Sequence, residues 1–296
     1  MSHKNQFVPF TVLGIIVFCL VLAGCAVQKP MWGDPETGFI LKYNITKDKV
    51  LNYKSVADSI ETTDMMGQSM EASTKFNMDY NIKGTGVDDQ DNLLTQVTIN
   101  DFGINISSSM AGQIAPDTSG LKGKSFGVSF SPIGDEIEFK GIDDLPKINF
   151  GQVGVGEQSV SRYFLDILPN LSDDPVKVGE TWTYQKEYNI EQGPLELILK
   201  VEATNILEGL ETVNGMECVR IKTQGKGTVE GSGNVMGSDL SIKGDVGSTA
   251  TWYFAYKKGL FIKASGEEDV DLTIDAGAMG EIPQVSKATV EIELVL

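Results

Sequence analysis

Polar and apolar residues alternate with a period of two along most of the chain beyond residue 37. Phe76, Met78, Tyr80 and Ile82 alternate with Lys75, Asn77, Asp79, Asn81 and Lys83. Trp182, Tyr184, Tyr188 and Ile190 share one face, against Thr181, Thr183, Gln185, Glu187 and Asn189. Leu195, Leu197, Leu199, Val201 and Ala203 form a further apolar face, and Ala288, Val290, Ile292, Leu294 and Leu296 another. Such alternation marks antiparallel strands with one dry and one wet face. Around Val97, Ile99, Phe102, Ile104 and Ile106 the parity flips, which predicts a bulge near Asn100 and Asp101. Residues 157–171 break the pattern: Val160, Phe164, Leu165 and Leu168 fall at helical spacing and Pro169 closes the run, predicting a helix.

The strand pattern also repeats. Strands beginning near Tyr53 and near Tyr184 each open a series of similar hairpins that ends in a turn glycine, Gly134 or Gly259. Each of these is followed seven residues later by another glycine, Gly141 or Gly266. A fixed order at near-equal spacing argues for an internal repeat. The expected fold is all-β with one linking helix: two similar curved antiparallel sheets, half-barrel or sandwich-like. The expected units are an N-terminal one over 37–146, a linker over 147–178 and a C-terminal one over 179–296. Glycines at 225, 227, 231, 233, 237, 244 and 247 fall within strands, where they permit sharp bending.

The first residues read differently. Lys4 is followed by an apolar run over residues 10–23, about 14 residues where a spanning helix needs about 20. That length, closed by small residues, fits the core of an export signal over 1–24. Its end, Leu22-Ala23-Gly24-Cys25, resembles the lipobox of bacterial lipoproteins. The resemblance implies cleavage before Cys25 and lipid attached to its sulfur, with residues 25–36 as a tether. Ala26 stands where aspartate favours inner-membrane retention, so the resemblance implies an outer-membrane location, periplasmic or surface-facing, in an organism with two membranes.

Loss of the signal removes Lys4 and the single histidine, His3, leaving 23 basic against 41 acidic residues and a net charge of −18. An average surface this acidic repels nucleic acid. Cys19 leaves with the signal and Cys25 is alkylated, so Cys218 has no partner for an intramolecular disulfide and reads as a buried strand thiol.

A chain without histidine has a short catalytic menu. Gly123-Lys124-Ser125-Phe126-Gly127 has nucleophile-elbow spacing, but it opens a strand and has no imidazole to activate Ser125. One free thiol and no histidine leave no zinc site. Glu267, Asp269, Asp271 and Asp275 read as the wet side of a strand, and residues 88–92 as a hairpin turn rather than a calcium loop. No catalytic residue, metal or cofactor is expected, and the chain reads as a non-enzyme.

Methionines recur beside glycine at expected hairpin tips: Met65, Met66 and Met70 around Gly67, then Met110, Met236 and Met279. Flexible thioethers suit adaptable apolar contact. These residues are therefore candidate contacts for a hydrophobic ligand, membrane or partner; folding back over the core and thioether binding of Cu(I) are the other readings.

The stretch from Leu168-Pro169 through Pro175-Val176-Lys177-Val178-Gly179-Glu180-Thr181-Trp182, followed by Val213-Asn214-Gly215-Met216-Glu217-Cys218, resembles an uncharacterised family of bacterial lipoproteins. More distantly, the strand pattern resembles the half-barrels of lipoprotein carriers. The expectation is a membrane-anchored, non-catalytic envelope lipoprotein that binds a hydrophobic ligand such as a lipid or acyl chain. The alternative is a structural or assembly lipoprotein that binds other envelope proteins.

Overall fold

The computed structural model describes residues 31–296 apart from 66, 110, 111, 152–155, 193, 236, 237, 278 and 279. The expected signal, Cys25 and the start of the tether lie outside the described residues. The strands run β1 (Gly33–Asp34), β2 (Gly38–Phe39), β3 (Val50–Met65), β4 (Gln68–Val87), β5 (Leu93–Ser108), β6 (Gly112–Ile114), β7 (Ser125–Phe130) and β8 (Glu136–Lys140). They continue with β9 (Ile148–Asn149), β10 (Glu157–Gln158), β11 (Thr181–Gln192), β12 (Leu195–Val213), β13 (Met216–Val235), β14 (Ser238–Ala255), β15 (Leu260–Asp275) and β16 (Glu281–Val295). The fold is all-β.

Twelve strands form one antiparallel sheet in the order β11-β12-β13-β14-β15-β16-β3-β4-β5-β7-β8, with β6 added to the end of β5. The two meanders are thus a single sheet. The last strand of the chain, β16, pairs with the first long strand, β3, from Gln284 opposite Thr63 to Val295 opposite Asn52. The halves follow the same strand order. Tyr53 and Tyr184 are each the fourth residue of their strand, and both meanders carry a register shift before the turn glycine, at Ser129/Phe130 and at Tyr253/Phe254. The expected parity flip is a bulge: Asp79 faces Asp101 and Tyr80 faces Ile99, leaving Asn100 as the extra residue.

Because the strands are antiparallel, alternate turns collect at opposite ends of the sheet. At one end, the base, a strap over residues 39–45 crosses the turns. Phe39 N donates to Val176 O at 2.8 Å, Tyr43 N to Pro132 O at 2.8 Å and Asn44 N to Gly259 O at 2.9 Å. The two turn glycines make this crossing possible. Gly134 and Gly259 have φ of 98° and 64°, and a Cβ would lie 2.7 Å from the Tyr43 ring or 2.6 Å from the Asn44 backbone nitrogen. The core lies under this strap. Tyr53 stacks between Tyr80 and Phe261 with centroids 5.5 and 5.8 Å away, and its hydroxyl donates to Phe261 O at 3.0 Å.

Two expectations are corrected here. Residues 157–171 do not form a helix: they hold β10, a 3-10 turn over Ser161–Phe164, then a turn at 165–166 and bends at 167–168 before an irregular course. Val160, Phe164, Ile167, Leu168 and Leu171 are all buried at helical spacing, but Leu165 turns to extended backbone (φ −74°, ψ 135°) and Asp166 has a positive φ of 55°, so the helix does not continue. Tertiary burial overrides the local spacing. The expected tether is also shorter, because β1 pairs with β2 and Trp32 packs against the core, so residues 31–36 belong to the folded body.

The linker bridges the two open edges of the sheet. Its edge strands, β8 and β11, do not pair with each other. Asp166 instead accepts hydrogen bonds from Lys186 Nζ and Tyr188 Oη on β11, while the next residue, Ile167, donates its N–H to Glu136 Oε1 on β8 at 3.2 Å. Leu171 N donates to Ile133 O at 2.8 Å, Asn170 Nδ2 to Asp135 Oδ1 at 2.5 Å, and Trp182 Nε1 to Asn170 O at 3.2 Å. One irregular segment therefore bridges the two edges of a sheet that is curled but not closed.

Candidate functional site: the concave face

Strand parity decides which side chains face into the curl. The wet residues Lys222, Gln224, Lys226, Lys243, Asp245, Glu267, Asp269, Asp271 and Asp275 point outward, as the alternation predicts. The register lines up the inward residues in rows. One row crosses Tyr184, Ala203, Gly225, Ser248, Glu268, Ala288, Ser59, Thr74 and Ile106. Most of these side chains are small, which leaves room between opposite walls. Toward the rim, the inward positions of β12, β14 and β15 are aliphatic: Leu195, Leu197, Leu199, Val201, Leu240, Ile242, Val246, Val270, Leu272 and Ile274.

The inward glycines let this wall curl tightly. A Cβ at Gly227 would lie 2.4 Å from Lys200 O, at Gly231 2.6 Å from Glu196 O, and at Gly244 2.0 Å from Asp271 O. Only glycine allows backbones to approach so closely.

The two halves fill the concave face differently. In the N-terminal meander the linker supplies aromatic cover. Tyr163 stacks on Phe76 at 5.2 Å and meets Phe102 edge-on at 5.2 Å, while Phe164 meets Phe126 at 4.8 Å and Tyr80 at 6.2 Å. The aliphatic rim side of the C-terminal meander has no aromatic contact of this kind among the described residues. There a cleft of about 940 Å³ opens between the linker and β11–β13, with a mixed and mostly polar lining that sets Arg162, Glu196 and Glu230 beside Leu165, Ile190 and Leu197.

Several ionisable side chains sit at inward positions beyond the core, Lys186, Glu61 and Glu268 among them. Lys186 is held by Asp166 in the closure between the edges. Nearby, burial and then the Asp166 charge push the Glu136 carboxyl up to about 7 and the Tyr184 hydroxyl up to about 12. Glu61 and Glu268 lie on the strands flanking β16. Burial raises the pKa of Glu61, partly offset by hydrogen bonds from Gln284 and Thr63. Glu268 stays reachable by water, yet the surrounding sheet desolvates it enough to raise its pKa too. The sequence reading passed over these groups, although strict parity from Val270 and Leu272 already places Glu268 inside.

The remaining expected features fall as follows. Met65 is exposed and Met70 half-buried at the rim hairpin of β3 and β4. Met66, Met110, Met236 and Met279 lie outside the described residues, but the strands flanking all four end at the same rim. Ser125 pairs with the Thr98 hydroxyl at 2.9 Å, which is no base. Asp88 caps its own turn, accepting from Gln90 N and Asn92 N at 2.9 Å each. Cys218 is free and fully buried, and burial pushes its thiol pKa up. Among the described residues, no group of three or more acidic, cysteine or histidine side chains is placed to hold a metal ion, and no helix is long and apolar enough to cross a membrane.

No family model matches this chain, and no curated protein matches it. Among solved structures, it is similar to an outer membrane channel from Pseudomonas putida F1, at 10% identity over 86% of this chain and 98% of that one, with a TM-score of 0.24. OccK2 from Pseudomonas aeruginosa covers 86% of this chain and 100% of its own at 7% identity, with a TM-score of 0.25. A DUF1329 family protein from Desulfovibrio piger matches over 81% of this chain and 83% of its own at 11% identity, with a TM-score of 0.13. Scores this low say nothing about activity, and the functional reading rests on this chain alone.

Proposed function

We propose that this chain is a lipid-anchored envelope protein, held at a membrane through Cys25, whose C-terminal concave wall binds a hydrophobic ligand such as an acyl chain. One observation carries the reading. The face that the linker fills with aromatic rings in the N-terminal meander continues into the C-terminal meander as an aliphatic wall without such cover. Most of this wall is half-buried, and covering the apolar area it still shows to water is favourable by about 25 cal/mol per Å². A narrow, glycine-curled trough suits a flexible chain better than a flat ring system.

Native mass spectrometry of the detergent-purified protein tests the ligand. A co-purifying lipid mass is expected, and Val246→Trp should abolish it by filling the trough. A protein that is lipid-free from its own membranes, and takes up none on incubation, would overturn the reading. The anchor is tested separately: Cys25→Ser should lose detergent-phase partitioning and accumulate as precursor or soluble protein.

A further inference from the structure

Acidic residues dominate the chain, at a formal net charge of −17. Cations nevertheless collect at one place, where the strap meets the turn between β14 and β15. Asn44 N donates to Gly259 O at 2.9 Å, and Lys42 O would lie 2.6 Å from a Cβ at Gly259. This contact brings Lys42, Lys47 and Lys49 beside Lys257 and Lys258. Gly84 N donates to Lys49 O at 2.9 Å, which adds Lys83. The carboxylates paired with this group are Asp48, 3.3 Å from Lys83, and Glu217, 3.0 Å from Lys257. Six lysines thus face two acids. Lys42, Lys47 and Lys258 are exposed and make no ion pair among the described residues. Lys49 feels the crowding: burial and then the Lys258 charge lower its pKa.

The same end of the molecule receives the chain from its N-terminus. Ile40 N donates to Trp32 O at 3.0 Å, two residues before Lys42, and Met31 is 86% exposed beside it. Met31 lies six positions after Cys25, a reach of about 20 Å at most. The rim lies at the far end of strands up to 20 residues long.

We propose that the lysine cluster at the base is a docking surface for the anionic headgroups of the bilayer that carries the anchor, so that the body stands base-down with its rim directed away. This rests on lipid attachment at Cys25. Charge complementarity and the short lead from Cys25 identify the occupant, because lysines within a Debye length of an anionic surface are attracted to it while the acidic outer strands are repelled. The acidic turn at residues 88–92 bounds the patch on the side beyond Gly84.

The full-length protein would be reconstituted into vesicles of phosphatidylcholine, with or without phosphatidylglycerol, and followed by amide hydrogen exchange. Phosphatidylglycerol should protect residues 42–49 and 256–259, high salt should remove that protection, and the rim hairpins should not respond. The triple variant Lys42→Gln, Lys47→Gln, Lys258→Gln, at exposed positions, should lose the protection while keeping its melting temperature. Protection independent of lipid charge, or confined to the rim, would overturn the proposal. Should intact mass show no lipid on Cys25, the anchor reading fails by itself. Low-salt co-sedimentation with phosphatidylglycerol vesicles then still reads the lysines: roughly tenfold or greater weakening in the triple variant supports the patch, and equal binding refutes it.

Discussion

The two meanders share strand order, turn glycines and the position of a bulge, yet they solve the same packing problem in opposite ways. Inward residues of the N-terminal meander, Phe76, Tyr80, Phe102 and Phe126, are large and are met by Tyr163 and Phe164 from the linker. At that depth the C-terminal meander has its own rings, Trp182 in the register row of Phe76 and Trp252 in that of Phe102, edge-on to each other at 6.4 Å; toward the rim it presents glycines and aliphatics, with no ring contact from the linker among the described residues. Both halves share the core at the base, but the linker finishes the concave face of one and leaves the rim side of the other as a lined space, so a repeated architecture has been divided between stability and accommodation.

That contrast can be broken most forcefully at Phe164, which is fully buried between Tyr80 and Phe126. Phe164→Ala should cost about 3–5 kcal/mol in denaturant unfolding, whereas Leu199→Ala in the half-buried trough should cost clearly less. Equal losses would mean that the C-terminal wall is as fully packed as the N-terminal one.

The linker closure carries a pH signature. Glu136, raised to about 7 by burial and Asp166, keeps its proton in the folded state over a range where the unfolded chain has lost it. Stability should therefore decline as pH rises from the ordinary glutamate range through about 7, by at most about 3 kcal/mol, and level off above. Glu136→Gln should flatten that slope in melts recorded across pH.

Curvature is tested at two glycines three residues apart. Gly244→Ala would force a Cβ to within 2.0 Å of Asp271 O and should destabilise by about 1–3 kcal/mol. At Gly247 nothing lies within 4 Å, so Gly247→Ala should be neutral or stabilise by about 0.4–1 kcal/mol. The smallest effect is expected at the rim: Met65 is exposed, and Met65→Ser should shift stability by less than about 0.5 kcal/mol while weakening ligand uptake if the rim guards the trough.

Strand identity, the bulge at Asn100 and the matching turn glycines were legible because period-two alternation is enforced residue by residue wherever one face is dry. The linker was not. Val160, Phe164 and Leu168 have helical spacing, but their burial comes from neighbours distant in sequence, Tyr80 and Phe126 among them, which no local pattern encodes. Edge-to-edge fusion through β16 and β3 was equally silent, since alternation reports which face is dry and not which strand lies alongside. The lysine cluster was hidden for a third reason: residues 42–49 and 257–258 are distant in sequence and meet where the strap crosses the turn at Gly259.

A barrel closed by a complete hydrogen-bond ladder has a girth set by whole numbers, its strand count and stagger. Here the last gap is spanned by Asp166, Ile167 and a few side-chain bonds, and no integer governs it. The circumference can be tuned by substituting a handful of linker residues, without adding or removing a strand. Bore and strand number, locked together in a sealed barrel, become independent variables in this architecture.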